Sequence, residues 1–216
     1  MLISLADDDR QKHVYKQLKA RSNVDGVIVH GPHMADSRIA LLNDLGIPFV
    51  VHGRASDISL PYSWLDVNNS RAFRRATDFL LDLGHRRIAL INGPEHMDFA
   101  YRRRNAFLSA LNERNIEAVP DFMRADEMTE VYGYLSATDL LAMPEAPTAF
   151  LVSSMITALG VRRAIHEAGR EMGRDVSVVT HDDDLSYLKN GQDVPIFTAT
   201  RSSVRAAGAR AAEMLL

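Results

Sequence analysis

The sequence predicts an α/β protein built from parallel sheets flanked by helices. Short apolar runs rich in β-branched residues alternate along the chain with longer segments whose apolar residues recur at helical spacing. A glycine closes several of these segments just before the next apolar run, as a helix C-cap glycine does. Because parallel strands need crossover connections, this alternation indicates βαβ units. The plan occurs twice along the chain, so we expect two lobes of roughly a hundred residues each.

The composition is that of an ordinary globular protein and narrows the classes of function. Of the 216 residues, 46% are hydrophobic and 25% are charged, with a formal net charge of -3 and a sequence pI near 6.2. That balance does not favour nucleic-acid binding by this part of the chain itself. The absence of cysteine excludes disulfides and thiolate chemistry. No apolar run approaches the ~18 residues of a membrane span, and Met1–Asp9 has no signal-peptide features.

The first half of the chain has the pattern β-α-β with short loops. Gly46 ends one predicted helix, and Asn68 or Asn69 can cap the helix that precedes Gly84. The apolar residues on one stripe of that helix are Phe73, Ala76, Leu80 and Leu83. The predicted elements are a strand at Leu2–Leu5, a helix at about Asp9–Arg21, a strand within Asp25–Pro32, a helix at Ser37–Leu45, a strand at Ile47–His52, an extended segment at Pro61–Asn68 and the helix ending at Leu83.

The second half repeats the same pattern of elements, and three carboxylates follow one of its predicted buried strands. The predicted strands are Arg87–Asn92, Phe122–Ala125, Thr148–Val152, Val176–Val179 and Phe197–Thr200, and the predicted helices are about Phe99–Arg114, Glu130–Leu141, Ser154–Ala168 and a closing helix to Leu216. Ligands of open α/β sheets bind outside the carboxyl ends of the strands. The acids at 182–184, just past Val179, are therefore aimed at a ligand site.

Domain boundaries follow from the repeated plan. We assign residues 1–84 and 201–216 to a first lobe, incomplete at its start, and residues 85–200 to a second lobe. Small ligands usually bind in crevices at the junction of two domains. A ligand cleft between the lobes is therefore expected.

Five segments, in this order and spacing, resemble the effector-binding region of LacI/GalR-type transcriptional regulators. They are Val24–Val29, Gly84–Ala89, Arg103–Phe107, Pro147–Phe150 and Asp175–Asp183, and together they cover nearly the whole chain. The resemblance implies a periplasmic-binding-protein-like fold of two Rossmann-like lobes. The family's amino-terminal helix-turn-helix and its first core strand and helix have no counterpart in this sequence, which therefore resembles a fragment.

Two charged residues are the main members of the ligand site that the resemblance implies. Asp182 matches the position at which the family holds a sugar hydroxyl, and Arg103 matches the family's cleft arginine, whose forked donors suit vicinal hydroxyls. We expect both to meet one ligand, with Arg103 at a wet rim where its replacement leaves the fold intact. Alone, Asp182 could be a solvated acid or a helix cap, and Arg103 could lie on an exposed helix face, as we expect for Arg102 and Arg104. The spacing of the acids does not match a calcium loop.

Four further residues complete the implied ligand-binding set. Ser154 stands where the family usually has Asn, and Met155 replaces the Asp that follows; a plain N-cap serine is the alternative. Arg54 follows a strand end and can reach the ligand from the first lobe, or it is simply a charged turn residue. Met128 corresponds to a place where some relatives put an aromatic ring against a pyranose, and Phe99 is a stacking candidate.

Three other residues have a second interpretation. Trp64 and Tyr101 are further stacking candidates, although a core position is favoured for Trp64. His85 follows Gly84, and we expect it to serve the preceding helix end, where a protonated imidazole is favourable.

The resemblance implies the sugar-sensing and dimerisation domain of a cytoplasmic transcriptional regulator. A small sugar would control operator binding by a helix-turn-helix head outside this sequence, and His52–Arg54 with Trp64 is similar to members that respond to α-glucosides or related sugars. We expect a homodimer formed through the helices between Asp36 and Leu45 and between Asn69 and Leu83. No cofactor, metal ion or membrane contact is expected.

Two other classes of function stay open. A periplasmic-type sugar-binding protein of a transport system shares this fold, and it would need a signal peptide upstream. A sugar isomerase or hydrolase could use His52 or His181 with the aspartates. No Gly-x-Ser-x-Gly elbow, phosphate loop or zinc spacing is found, so we expect no catalytic residues.

Overall fold

The computed structural model describes residues 8–181, 184–185 and 187–216, and the strand predicted at Leu2–Leu5 lies outside these residues. The helices are α1 (Asp8–Arg21), α2 (Ser37–Leu45), α3 (Asn69–Asp82), α4 (Asp98–Glu113), α5 (Glu130–Leu141), α6 (Met155–Glu167) and α7 (Val204–Leu215). The strands are β1 (Val27–His30), β2 (Phe49–His52), β3 (Ser63–Leu65), β4 (Ile88–Asn92), β5 (Met123–Ala125), β6 (Ala149–Val152), β7 (Ser177–His181), β8 (Asp184–Leu185), β9 (Leu188–Lys189) and β10 (Thr198–Thr200).

The strands form two parallel sheets and one small hairpin. The first sheet has the order β1-β2-β3, and the second has the order β10-β7-β6-β4-β5. Strands β8 and β9 pair antiparallel. The predicted α/β architecture with parallel sheets is therefore confirmed.

The five-stranded sheet is buried on both faces, which explains why its strands are apolar throughout. Because successive side chains of a strand point to opposite faces, Ala89 and Ile91 belong to one core and Ile88 and Leu90 to the other. Helices α5 and α6 cover the first core, and α3 and α4 cover the second. At the carboxyl ends of β4 and β7 the apolar pattern stops, and these strands end in the polar residues Asn92 and His181.

Helices α5 and α6 approach each other closely enough for their backbones to touch. A Cβ atom added at Gly133 would lie 2.1 Å from the carbonyl oxygen of Thr157. One added at Gly160 would lie 2.0 Å from the carbonyl oxygen of Glu130. Only glycine allows this approach, so the two helices pack as a single layer on the sheet.

The chain divides into two compact units. One contains residues 8–67 with Arg205–Leu216, and the other is Asn68–Val204. In the first unit, Val29, Val51, Ile39 and Leu42 form the centre of a small core between the sheet and α2. The lobe boundaries predicted at residues 84 and 200 remain a prediction, because packing within one chain does not define which segments move together.

Two predictions of burial are wrong. Phe73, Ala76 and Leu80 are buried as expected, but Leu83 is 59% exposed, because α3 ends at Asp82 and the chain turns away at this C-cap position. Trp64 is 45% exposed rather than part of the core. It lies on the short strand β3, and the guanidinium of Arg54 lies 5.1 Å from the centroid of its ring.

Candidate functional site

Polar groups collect at the carboxyl edge of the five-stranded sheet. Strand β4 ends at Asn92, β6 is followed by Ser153, and β7 ends at His181. All three side chains are nearly fully buried. Since buried polar groups need partners, their hydrogen bonds define how this edge is built.

Arg103 is the centre of this cluster. It projects from α4 and is 5% exposed. Its Nε donates to Oδ1 of Asn69 at 2.7 Å, and its Nη1 donates to the carbonyl oxygen of Ser153 at 3.0 Å. The guanidinium carbon lies 4.9 Å from the centroid of the Phe73 ring and 4.7 Å from that of Phe99. Two rings and two hydrogen bonds therefore hold a planar cation in one orientation.

Behind the arginine, a second set of hydrogen bonds fixes the ends of β4 and β6. The hydroxyl of Ser153 donates to Oδ1 of Asn92 at 2.6 Å, and Nδ2 of Asn92 donates to the carbonyl oxygen of Ala100 at 2.8 Å. The hydroxyl of Tyr132 donates to the carbonyl oxygen of Asn92 at 3.1 Å. Burial raises the pKa of Tyr132, so the phenol stays protonated as a donor.

His181 closes the cluster on the side of β7 and β10. Its Nδ1 shares a hydrogen bond of 2.8 Å with Oγ1 of Thr200, and its ring contacts Phe73 edge to face at 5.8 Å between centroids. Phe99, Arg103, Phe73 and His181 thus form one continuous row of contacts between rings and cation. Asp182 follows immediately but lies outside the described residues, so its expected convergence with Arg103 stays a prediction.

Phe99 and Met128 provide an apolar surface beside the arginine. Phe99 is half-buried in the first turn of α4, and Met128 is half-buried in the turn before α5. Both approach Gly93, because a Cβ added there would lie 2.7 Å from Cζ of Phe99 and 3.5 Å from Sδ of Met128. An aromatic ring and a thioether next to a fixed guanidinium suit a ligand with one apolar and one polar face.

Ser154 is the N-cap of α6, where its hydroxyl accepts a hydrogen bond from the backbone N–H of Ile156 at 3.2 Å. The plain capping interpretation therefore applies to this serine, and any ligand contact would be additional. Asn68 caps α3 in the same way, by accepting from the N–H of Arg71 at 2.9 Å. The neighbouring Asn69 is thereby left to orient Arg103.

In the first unit, polar residues also follow the strand ends. His30 and His52 end β1 and β2 as a register pair, and their Nδ1 atoms are 2.9 Å apart. Burial, and then the charges of His52 and Arg38, lower the pKa of His30, which favours the neutral form of the His30 ring. Arg54 is exposed in the turn after β2 and covers Trp64. Whether Arg54 contacts a ligand stays a prediction.

Two expectations about basic residues are wrong. Arg103 is buried rather than at a wet rim, because α3 supplies Phe73 and Asn69 as partners. Arg102 is 16% exposed rather than solvated, and its Nε donates to buried Asp98 at 2.5 Å. Arg104 lies nearer the surface, where it donates to Glu95 at 2.6 Å.

His85 does not serve the helix end as a cation. Its Nδ1 and Nε2 lie 2.9 Å from the hydroxyls of Thr148 and Ser177, and burial lowers its pKa. The ring instead links the segments that lead into β4, β6 and β7.

Sequence reasoning assigned no site role to Asn92 and Gly93, considered Asn69 only as a helix cap, and named Ser153 only beside Ser154. The carboxyl-edge rule that singled out Asp182 also applies to Asn92 and Ser153, because both stand at the ends of predicted strands. For Asn69 and Gly93 no comparable signal exists, since their roles depend on Arg103 and Phe99 in three dimensions.

Within residues 8–181, 184–185 and 187–216, no group of three or more histidine, aspartate or glutamate side chains is arranged to hold a metal ion. In the same residues, no helix is both long and apolar enough to cross a membrane. Binding chemistry in the described site consists of hydrogen-bond donors, a guanidinium and aromatic or thioether faces.

Parallel sheets with polar residues gathered at their carboxyl edge define a small-ligand binding domain rather than a structural one. The family model described as a periplasmic binding protein-like domain matches residues 77–216, and the chain belongs to that family. Within it, the chain corresponds to the effector-binding portion of LacI-type transcriptional regulators, as the sequence resemblance predicted.

Curated relatives are regulators of this type. The HTH-type transcriptional regulator AglR of Rhizobium meliloti (strain 1021) is 44% identical over 207 residues, which are 95% of this chain and 58% of that protein. RafR of Escherichia coli is 32% identical over 84% of this chain and 54% of its own length. The chain therefore spans between half and three fifths of these relatives.

Solved structures agree with the fold. A regulatory protein of the LacI family from Chloroflexus aggregans superimposes with a TM-score of 0.85 at 27% identity, over 99% of this chain and 75% of that one. The transcriptional regulator CelR in complex with cellobiose gives a TM-score of 0.84 at 27% identity, over 97% of this chain and 63% of that one. Both similarities cover nearly all of the chain.

Proposed function

We propose that this chain is the ligand-sensing and dimerisation domain of a LacI-type transcriptional regulator and that its effector is a small sugar. The intact regulator would act in the cytoplasm, where the sugar controls operator binding by a helix-turn-helix head that precedes this region. Relatives with 44% and 32% identity are HTH-type regulators, which supports the regulatory role. As a sensor, the domain would bind its ligand without transforming it.

The observation that carries the sugar proposal is the combination of Arg103 with Phe99 and Met128. A pyranose has hydroxyls around its rim and apolar C–H groups on its faces, so it needs directed donors next to an aromatic or thioether surface. The guanidinium is fixed by Asn69 and Ser153, and Phe99 lies against it. Because these groups are already ordered, little conformational entropy is lost when a ligand binds.

The identity of the sugar is proposed from two directions. CelR, whose complex contains cellobiose, has the same fold at 27% identity, which supports a glucose-containing ligand. The His52–Arg54 turn with Trp64 favours an α-glucoside. Asp182 would accept hydroxyl hydrogens, Arg54 would contribute from the first unit, and Ser154 would add a polar contact beyond its capping bond.

The homodimer is proposed to form through α2 and α3. Phe79 and Leu83 at the end of α3 are 44% and 59% exposed, so this surface has apolar area that a second copy could cover. A dimer suits a regulator that reads palindromic DNA with two heads. Light scattering on the intact protein at tens of micromolar would contradict this proposal if it gave the mass of a monomer.

A thermal-shift screen of the intact regulator against mono- and disaccharides tests the ligand class. A sugar at a hundred times its dissociation constant should stabilise the protein by ~2.7 kcal/mol. Met128→Ala should weaken binding of the best sugar in calorimetry, whereas Met143→Ala should not. Met143 is also half-buried but lies in the turn that leads to the amino end of β6.

A second readout connects binding to regulation. The best sugar should change the affinity of the intact protein for its operator in a mobility-shift titration at fixed salt. If no sugar in the screen stabilises the protein, the proposed ligand class is wrong. If a sugar binds but is also converted, the proposal of a sensor without catalysis is wrong.

A further inference from the structure

The backbone conformation at Gly93 does not require a glycine, but the packing around it does. It is buried directly after β4, and it is not among the glycines with positive φ. A Cβ atom at this position would lie 2.7 Å from Cζ and 3.0 Å from Cε2 of Phe99. The backbone would accept another residue, but the ring of Phe99 would have to move to make room for its Cβ atom.

The same ring is held on its face by Arg103. The guanidinium carbon is 4.7 Å from the ring centroid, and the guanidinium itself is fixed by Asn69 and Ser153. Met128 Sδ lies 3.5 Å from the added Cβ position, next to the edge of the ring. Gly93 thus leaves the space that the edge of the Phe99 ring occupies, and Arg103 packs against the face of the same ring.

We propose that Gly93 is a positioning residue of the effector site, which determines through Phe99 which sugars fit. This inference rests on the proposed function. An ordinary carbon contact is at least 3.4 Å, so a methyl group at residue 93 would displace the ring edge by about 0.7 Å. The ring would then tilt relative to the guanidinium and present a different surface to a pyranose.

We expect a Gly93→Ala variant to fold, because of the atoms that its added Cβ would meet. At Gly133 and Gly160 an added Cβ would meet backbone oxygens, which cannot move without displacing a helix. At Gly93 it would meet the far end of a half-buried side chain, which can rotate. A substitution at Gly93 therefore changes the position of the ring more than the stability of the domain.

The test is a double-mutant cycle on the intact regulator, with calorimetric titration of maltose, cellobiose and methyl α-D-glucopyranoside. The variants are Gly93→Ala, Phe99→Ala and both together, with Gly208→Ala as the control. Gly208 is exposed within helix α7, and an added Cβ there meets nothing within 4 Å. Thermal melts of every variant report folding separately from binding.

We expect Gly93→Ala to bind the preferred sugar about tenfold more weakly, which is about 1.4 kcal/mol, and to change the ratio of maltose to cellobiose affinities. In the Phe99→Ala background the same substitution should cause no further loss, because the ring it displaces is gone. Phe99→Leu shortens the same side chain without touching residue 93, and it should shift the affinity ratio even if Gly93→Ala folds poorly. Gly208→Ala should bind like the parent.

The experiment distinguishes failure of the proposed function from failure of the inference about Gly93. If the parent binds none of the three sugars and none in the wider screen, the proposed function is wrong, and this inference falls with it. If the parent binds but Gly93→Ala has the same affinities and the same ratio, only the role of Gly93 is overturned. Additive losses in the double variant would overturn it as well, because Gly93 would then act independently of Phe99.

Discussion

Replacement of Arg103 by alanine should destabilise the second unit and not only weaken ligand binding. The side chain is 5% exposed and makes hydrogen bonds to Asn69 and Ser153, each of which is worth about 1.5 to 3 kcal/mol when the donor is charged. Its contacts with Phe73 and Phe99 add about 0.5 to 2 kcal/mol each. Burial of the cation itself costs free energy, which offsets part of this sum. We expect a net loss of about 3 to 4 kcal/mol in the free energy of unfolding.

Arg104→Ala is the matched control on the same helix. Arg104 pairs with Glu95, whose side chain is 45% exposed, and such surface ion pairs contribute about 1 kcal/mol or less. Urea unfolding followed by far-UV circular dichroism gives both losses, and hydrogen exchange shows whether the loss lies in Asn68–Val204. Equal losses for the two variants would refute the conclusion that Arg103 is a buried structural cation.

Two further predictions concern packing and pH. Gly160→Ala should lower the melting temperature strongly, because its methyl group would lie 2.0 Å from the carbonyl oxygen of Glu130 and force α5 from α6; a melting temperature unchanged in calorimetry would contradict the close helix contact. Burial lowers the pKa of His85 below its ordinary value of about 6.5, so the stability that its neutral form provides is present above that pH and lost as the pH falls. Melting temperatures measured from pH 7.5 to 5 should therefore decline less in His85→Gln than in the parent, while His30→Gln serves as a comparison with a second histidine whose pKa is lowered. An identical decline in His85→Gln would show that His85 does not contribute.

The order of elements was predictable because it depends on local signals. Apolar runs, helical spacing and glycine C-caps act over a few residues, and they located the helices and the strands of the two parallel sheets within a few positions, but not the short hairpin of β8 and β9. The rule that ligands bind at the carboxyl ends of parallel strands directed attention to the edge of the second sheet where Asn92, Ser153 and His181 lie. Phe99, Met128 and Arg103 do lie there, near one another.

The exposure of individual side chains was less predictable, because it depends on contacts with residues that are distant in sequence. Arg103 is buried because Phe73 and Asn69 come from α3, thirty or more positions earlier. Leu83 continues the helical stripe in sequence, but the helix ends before it. Trp64 has the composition of a core residue, yet it lies on a three-residue strand that leaves its ring in contact with Arg54. Tertiary contacts override such local preferences.

One part of the first unit, helix α7, is synthesised only after the whole of Asn68–Val204. Helix α7 packs onto the segment before β1, where Cδ2 of Leu215 lies 2.7 Å from the Cβ position of Gly26. All of Asn68–Val204 lies between the two parts of this unit. Closing a loop of roughly 140 residues costs on the order of 4 kcal/mol if the intervening chain is unfolded. During synthesis the second unit can fold first and bring the two parts of the first unit together, so premature termination anywhere before α7 would leave the first unit without this helix.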